Sequence, residues 1–306
     1  DGHSHLMAGA IPNCRAWDPT FSYEVAVILQ DGARRMLAEQ EDVYYYVTVM
    51  NENYTHPEMP AGAEADIIRG MYLLRDADAP LPAGAATADA KTDMPGKGTV
   101  GDIEAPAPKE TRADPKTKVG AGASAARAAG PAKSGKDGRA RVQLLGSGTI
   151  LREVIAAADL LEKEFGVAGD IWSCPSFSEL RKDGFAAERW NRLHPLDRTP
   201  RIPHVTACLG SRAGPAIAAT DYVREYADQI RAFMPQGKRY VVLGTDGFGR
   251  SDTRGHLRSF FEVDRYWIAH AAVAALADEG VLKPQDVARA IATWNLDPDK
   301  PDPTTV

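Results

Sequence analysis

Two imidazoles stand at the head of the chain, His3 and His5, in the run Asp1-Gly2-His3-Ser4-His5. Histidine changes charge near neutral pH, so such a pair can donate, accept or relay protons. Two residues apart on an extended segment, they point the same way; on a tight turn they converge. By spacing alone they also read as ordinary surface histidines. A metal would need a third and a fourth ligand, and no nearby cluster in the sequence supplies them. The other histidines (His56, His194, His204, His256 and His270) are scattered and carry no spacing signal.

Three further segments have the residue types for chemistry. Leu243 to Thr253 (LGTDGFGRSDT) is a strand-like stretch running into two glycines, two aspartates and Arg250. Arg250 can grip a carboxylate or phosphate bidentately; Asp246 and Asp252 read equally as turn formers or caps. Gly146-Ser147-Gly148 lies between a predicted strand and helix, where backbone amides can cradle a phosphate. The full G-x-G-x-x-G is missing, since position 151 is Leu, and a tight strand-to-helix turn explains the glycines. Gly130 to Asp137 (GPAKSGKD) mimics a Walker loop, but Asp replaces the magnesium-binding Ser or Thr.

These residues need a scaffold, and the pattern around them is α/β. Before residue 76 the expected order is a strand over Ala10 to Cys14, a helix over Glu24 to Glu39, a strand over Val43 to Met50 and a helix over Glu64 to Leu74. Apolar Val25, Ile28, Leu29, Ala33, Met36 and Leu37 would form one face of the first helix. Val43 to Met50 is aromatic and β-branched on both faces, as an inner parallel strand requires. After residue 140, strands are expected at 142–145, 170–174, 204–209, 216–219 and 240–243. Helices are expected at 150–164, 177–193, 221–233, 264–278 and 284–294. Asp221 would serve as a cap or first-turn acid, and Pro284 as a first helical residue. Strands alternating with helices of this length imply a mostly parallel sheet.

Residues 76 to 140 break the pattern. They hold 18 Ala, 9 Gly and 7 Pro, no aromatic residue, and only five of Val, Ile, Leu, Met or Phe. Too little apolar surface exists there to offset about 1–2 kcal/mol of backbone entropy per ordered residue, so this segment reads as a disordered insertion. The domain plan is therefore 1–75, the 76–140 insertion, and 141–306.

Composition excludes several classes. A formal net charge of −6 over 306 residues argues against nucleic acid as the main partner. No apolar run reaches the ~18 residues of a membrane span. Three widely spaced cysteines without a C-x-x-C pair support neither a zinc ribbon nor a disulfide scaffold, and point to a reducing, cytoplasmic setting. The chain opens without Met and enters predicted structure at once, so it reads as starting partway through a domain.

Seven ordered segments carry a family resemblance: DGHSH, IPNC, DPTFSYEVAVILQDG, VYYYVTVMNENY, VQLLGSGTILREV, ERWNRLHPL and LGTDGFGRSDTR. Together they resemble the homodimeric-type pyruvate dehydrogenase component, across residues 1–75 and 141 to the end. The resemblance implies a transketolase-like fold, with the end of a pyrimidine-binding domain followed by a complete C-terminal domain. It implies a thiamine-diphosphate and Mg²⁺ enzyme that decarboxylates pyruvate and acetylates the lipoyl domains of dihydrolipoyl acetyltransferase. It also implies a homodimer. In the family the first histidine of the DGHSH motif faces the cofactor adduct, which makes His3 the leading catalytic candidate and His5 the second. A cationic imidazole there could neutralise the pyruvate carboxylate or a developing enolate, and could relay a proton.

The family's G-D-G…N motif for magnesium and diphosphate is absent. Gly101-Asp102 and Gly169-Asp170 are each followed by Ile. The glutamate that activates the aminopyrimidine is expected upstream of Asp1, so this chain alone would not carry the cofactor. Trp267, Ile268, Val273 and Trp294 are candidate dimer anchors, with core packing the role expected first for each. The alternatives are a non-catalytic dimerisation or scaffold module, and a related 2-oxo acid dehydrogenase. The sequence upstream of Asp1 would separate them.

Overall fold

A computed structural model describes residues 2–79 and 138–306. The Walker-like stretch and most of the 76–140 segment lie outside the described residues. In chain order the elements are α1 (Ser4–Gly9), β1 (Cys14–Trp17), α2 (Ser22–Ala33), β2 (Tyr44–Val47), α3 (Glu64–Arg69) and β3 (Tyr72–Arg75). Then follow β4 (Arg141–Gly146), α4 (Ile150–Phe165), β5 (Ala168–Ser173), α5 (Phe177–Leu193), α6 (His204–Leu209), β6 (Ala216–Ala219) and α7 (Arg224–Asp228). The chain closes with β7 (Tyr240–Leu243), α8 (Arg254–Phe260), α9 (Arg265–Asp278) and α10 (Pro284–Thr293).

Two sheets organise these elements. β1 and β2 form a parallel pair, and a five-stranded sheet runs in the order β3-β5-β4-β6-β7. All its pairings are parallel except β3 with β5. The expected mostly parallel α/β fold is what forms. β4 shows why its sequence is a central strand. Every one of its residues is buried, and successive side chains enter opposite cores. Val142 and Leu144 face Ile150, Val154, Val273 and Leu276 from α4 and α9, whereas Leu145 faces Phe177, Leu180 and Leu209 from α5 and α6. Polar Gln143 is tolerated because it donates to Asp170 at 2.8 Å and accepts from the Trp172 indole at 2.9 Å.

Several expectations need correction. The first strand is Cys14–Trp17, four residues later than expected, because Ser4–Gly9 forms a short helix ahead of it. α2 stops at Ala33 and passes into a π-helical turn over Arg34–Ala38; Leu29, Met36 and Leu37 are exposed, while Ile28 and Gly32 make the buried side. The Glu64 to Leu74 helix ends at Arg69. Gly70 has φ 105°, and a Cβ there would lie 2.5 Å from the Ser176 carbonyl oxygen, so only glycine fits and the chain turns into β3. Residues 204–209 form a helix instead of a strand, since Asp183 accepts from the His204 amide at its first turn. Between Asp221 and Phe233 only Arg224–Asp228 is α-helical, and Glu225, not Asp221, is its first-turn acid. Helix α8 was not foreseen; Thr253 caps it by accepting from the His256 amide at 3.3 Å.

β3 ends at Arg75 and belongs to the larger sheet, so residues 1–75 span both sheets. The two ends of the segment outside the described residues meet. Asp78 accepts from Arg139 at 2.9 Å and from Arg141 at 2.7 Å. Ile268, Val273 and Trp294 are buried in the core of this chain, and Trp267 is half-buried.

Candidate active site

The carboxyl ends of the parallel strands point toward one another across the two sheets. Asp18 follows β1, Thr48 follows β2 and Ser147 follows β4. In open α/β sheets such ends are where polar groups are collected. Here they form one buried chain of hydrogen bonds. Ser147 Oγ donates to Asp18 Oδ2 at 2.7 Å, and Thr48 Oγ1 donates to Asp18 Oδ1 at 2.8 Å. The Thr48 hydroxyl in turn lies 3.1 Å from His5 Nε2. A hydroxyl has one proton to give. While Asp18 is ionised and takes it, Thr48 accepts from His5, which places the imidazole proton on Nε2.

α1 presents the two histidines differently. At about 100° per helical residue, positions two apart face nearly opposite directions. His5 is fully enclosed, with Tyr222, Tyr226 and Tyr46 rings at 4.4, 4.7 and 5.3 Å from its own. His3 is exposed and caps α1 with its carbonyl, which accepts from Leu6 and Met7. The motif's two imidazoles are therefore not brought together.

Electrostatics follows the enclosure. Burial disfavours the imidazolium and pushes His5 down to about 4. Burial disfavours the carboxylate and pushes Asp18 up to about 7, against the pull of Ser147 and Thr48. His5 Nδ1 has no hydrogen-bond partner among the described residues. Neighbouring Glu24 is also buried and pushed up by burial, but it accepts from Phe21 N at 3.0 Å and Tyr72 Oη at 2.7 Å. That makes it the internal brace of the α2 entry.

The glycine turn after β4 serves the same network. Gly148 has φ 50°, and a Cβ there would lie 2.6 Å from the Asp18 carboxylate. Gly148 N also donates to the Asp18 carbonyl at 3.0 Å. The Gly146–Gly148 turn thus grips a side chain of the protein itself, at the place where a phosphate cradle was considered. In the Leu243 to Thr253 loop, Asp246 binds Arg224, and Asp252 pairs with His256 at 3.0 Å. Sequence reasoning missed Asp18, Thr48, Ser147 and the three tyrosines. The available signal was position: an acid before Pro19, and hydroxyls just past predicted strands.

Parallel strands, flanking helices and a polar cluster at the strand ends make this an α/β protein with its candidate site at the carboxyl edge of its sheets, and the family comparisons make it transketolase-like. A family model for the transketolase-like C-terminal domain matches residues 132–264, and one for the middle domain of the pyruvate dehydrogenase E1 component matches residues 1–57. The pyruvate dehydrogenase E1 component of Cupriavidus necator is 54% identical over 306 residues, all of this chain and 28% of that protein. That of Pseudomonas aeruginosa is 48% identical over 303 residues, 99% of this chain and again 28% of that protein. The chain belongs to the pyruvate dehydrogenase E1 component family and spans a little over a quarter of those relatives' length. Transketolase from Leishmania mexicana is similar at a TM-score of 0.48 and 13% identity, over 90% of this chain and 27% of that one.

Proposed function

We propose that this chain is the C-terminal part of a pyruvate dehydrogenase (acetyl-transferring), which decarboxylates pyruvate and passes the acetyl unit to a lipoyl group of dihydrolipoyl acetyltransferase. The observation that carries this reading is the 54% identity, along the whole chain, to a pyruvate dehydrogenase E1 component. The protein would work as a cytoplasmic homodimer within the pyruvate dehydrogenase complex. Among the described residues no helix is long and apolar enough to cross a membrane.

The reading draws on thiamine diphosphate, whose thiazolium acts as the electron sink for decarboxylation when bound. The family's G-D-G…N motif, which would hold its magnesium and diphosphate, is absent from this chain. Those ligands would come from other parts of the protein, and this chain's own contribution is polar and steric. His3, exposed at the start of α1, would supply charge and a proton to the reacting carboxylate. His5, enclosed and hydrogen-bonded to Thr48, would position that segment without touching substrate. The domain plan of the resemblance is part of this proposal, residues 1–75 as the end of the pyrimidine-binding domain and 141–306 as the C-terminal domain, with the last strand of the first, β3, pairing into the sheet of the second.

The test uses the full-length protein with pyruvate, thiamine diphosphate, Mg²⁺ and a lipoyl domain. Cofactor-dependent release of CO₂ coupled to lipoyl acetylation supports the reading. A full-length protein that folds and dimerises yet never turns over pyruvate would favour the scaffold alternative.

A further inference from the structure

The loop after β7 opens beside a cleft of about 250 Å³ that the hydrogen-bonded cluster around Asp18 does not use. Arg250, Arg254 and Arg258 line it together with the backbones of Gly247 and Gly249, and apolar Leu257 and Phe261 complete it. Gly2, the residue before His3, lies in the same wall.

The charges at this cleft do not balance. Glu52 receives Arg152 at 2.6 Å and Arg258 at 2.8 Å, with Arg254 at 3.8 Å. Glu153 receives Arg265 at 2.8 Å and Arg258 at 3.3 Å. Of the residues that line the cleft itself, Arg250, Arg254 and Arg258 are cationic against the single carboxylate of Asp221; Arg258 is committed to Glu52 and Glu153, and Arg254 donates to Asn51 Oδ1 at 2.6 Å. Arg250 itself is exposed, its guanidinium 5.0 Å over the Phe260 ring, with no carboxylate among the described residues in salt-bridge reach. The aromatic contact steadies the planar fork, which lowers the entropy lost when it grips an anion.

We propose that this cleft is an anion-binding site for a small organic oxyanion, a carboxylate or phosphate group carrying a short apolar portion. Arg250 and Arg254 supply the charge-assisted hydrogen bonds. Leu257 and Phe261 cover the apolar portion. Binding here is independent of whether the protein turns over pyruvate.

Calorimetry on the full-length, cofactor-saturated protein tests this with two probes, inorganic phosphate and acetate. Saturable binding of either probe is expected, and the probe that binds more tightly identifies the headgroup. Arg250→Gln and Arg254→Gln should each weaken that binding by about tenfold or more, the effect of losing a charge-assisted pair. Unchanged affinity in both variants would overturn the proposal, as would no saturable binding of either probe to the unmutated protein.

Discussion

Replacing Asp18 by Asn should unmask a pH dependence of stability that the native pair conceals. Asp18 titrates near 7 in the folded chain against 3.8 for the ordinary group. Between those values the native state keeps a proton that the unfolded state has lost, so stability falls as pH rises. The fall is complete above pH 7 and amounts to at most about 4 kcal/mol, at about 1.4 kcal/mol per tenfold change in proton affinity. His5 works in the opposite sense. It titrates near 4 when folded against 6.5 ordinarily. Between pH 4 and 6.5 the unfolded state binds a proton that the native state refuses, so stability rises with pH, by at most about 3 kcal/mol. The two slopes nearly cancel across that window. Urea unfolding of this chain at pH 4.5, 5.5 and 6.5 is the assay, read as each variant minus the unmutated protein so that other groups drop out. Asp18→Asn should gain relative stability with rising pH, and His5→Gln should lose it, each by roughly 1 kcal/mol or more across the series. Parallel curves for both variants would refute the reasoning, because then neither group is held away from its ordinary range.

Two further expectations concern the scaffold. Glu153 is buried and holds Arg265 and Arg258, so Glu153→Ala strips the partly enclosed Arg265 of its carboxylate partner and leaves Arg258 with Glu52 alone. It should cost about 3 kcal/mol in urea unfolding, the range for breaking a buried ion pair from one side. Excision of residues 80–137 with a short Gly/Ser bridge should not lower the melting temperature. Asp78 and Arg139 already meet at 2.9 Å, and shortening a loop reduces the entropy cost of closing it.

Much of the fold was legible because local and global demands agree in the larger sheet. α5, β6 and β7 fall on the expected residues, where apolar runs of the right length end at strong punctuation such as the Ser176 cap. The errors lie where tertiary contacts outvote local pattern. Gly70 ends a helix because the Ser176 carbonyl occupies the space a side chain would need. Residues 204–209 are six apolar-rich residues, too few for periodicity to tell strand from helix. The site was legible only in its first member. Spacing alone left His3 and His5 equivalent, and the helical turn that sends one inward and the other outward is invisible in five residues. Asp18, Thr48 and Ser147 are separated by as many as 129 residues, and only the meeting of two sheets at their strand ends brings them together. Family membership was readable from long ordered motifs, which composition and periodicity do not encode.

The division between the two histidines is tested most directly by steady-state kinetics of the full-length protein with pyruvate. His3 is exposed with few apolar contacts to lose, so His3→Ala should leave stability within about 0.5 kcal/mol. The same change should lower kcat by about 10²-fold or more, as expected for a proton-transfer or charge-stabilising group. A kcat within about threefold of the unmutated protein in His3→Ala, with the collapse appearing in His5→Ala instead, would contradict the account and move the chemistry to the enclosed imidazole.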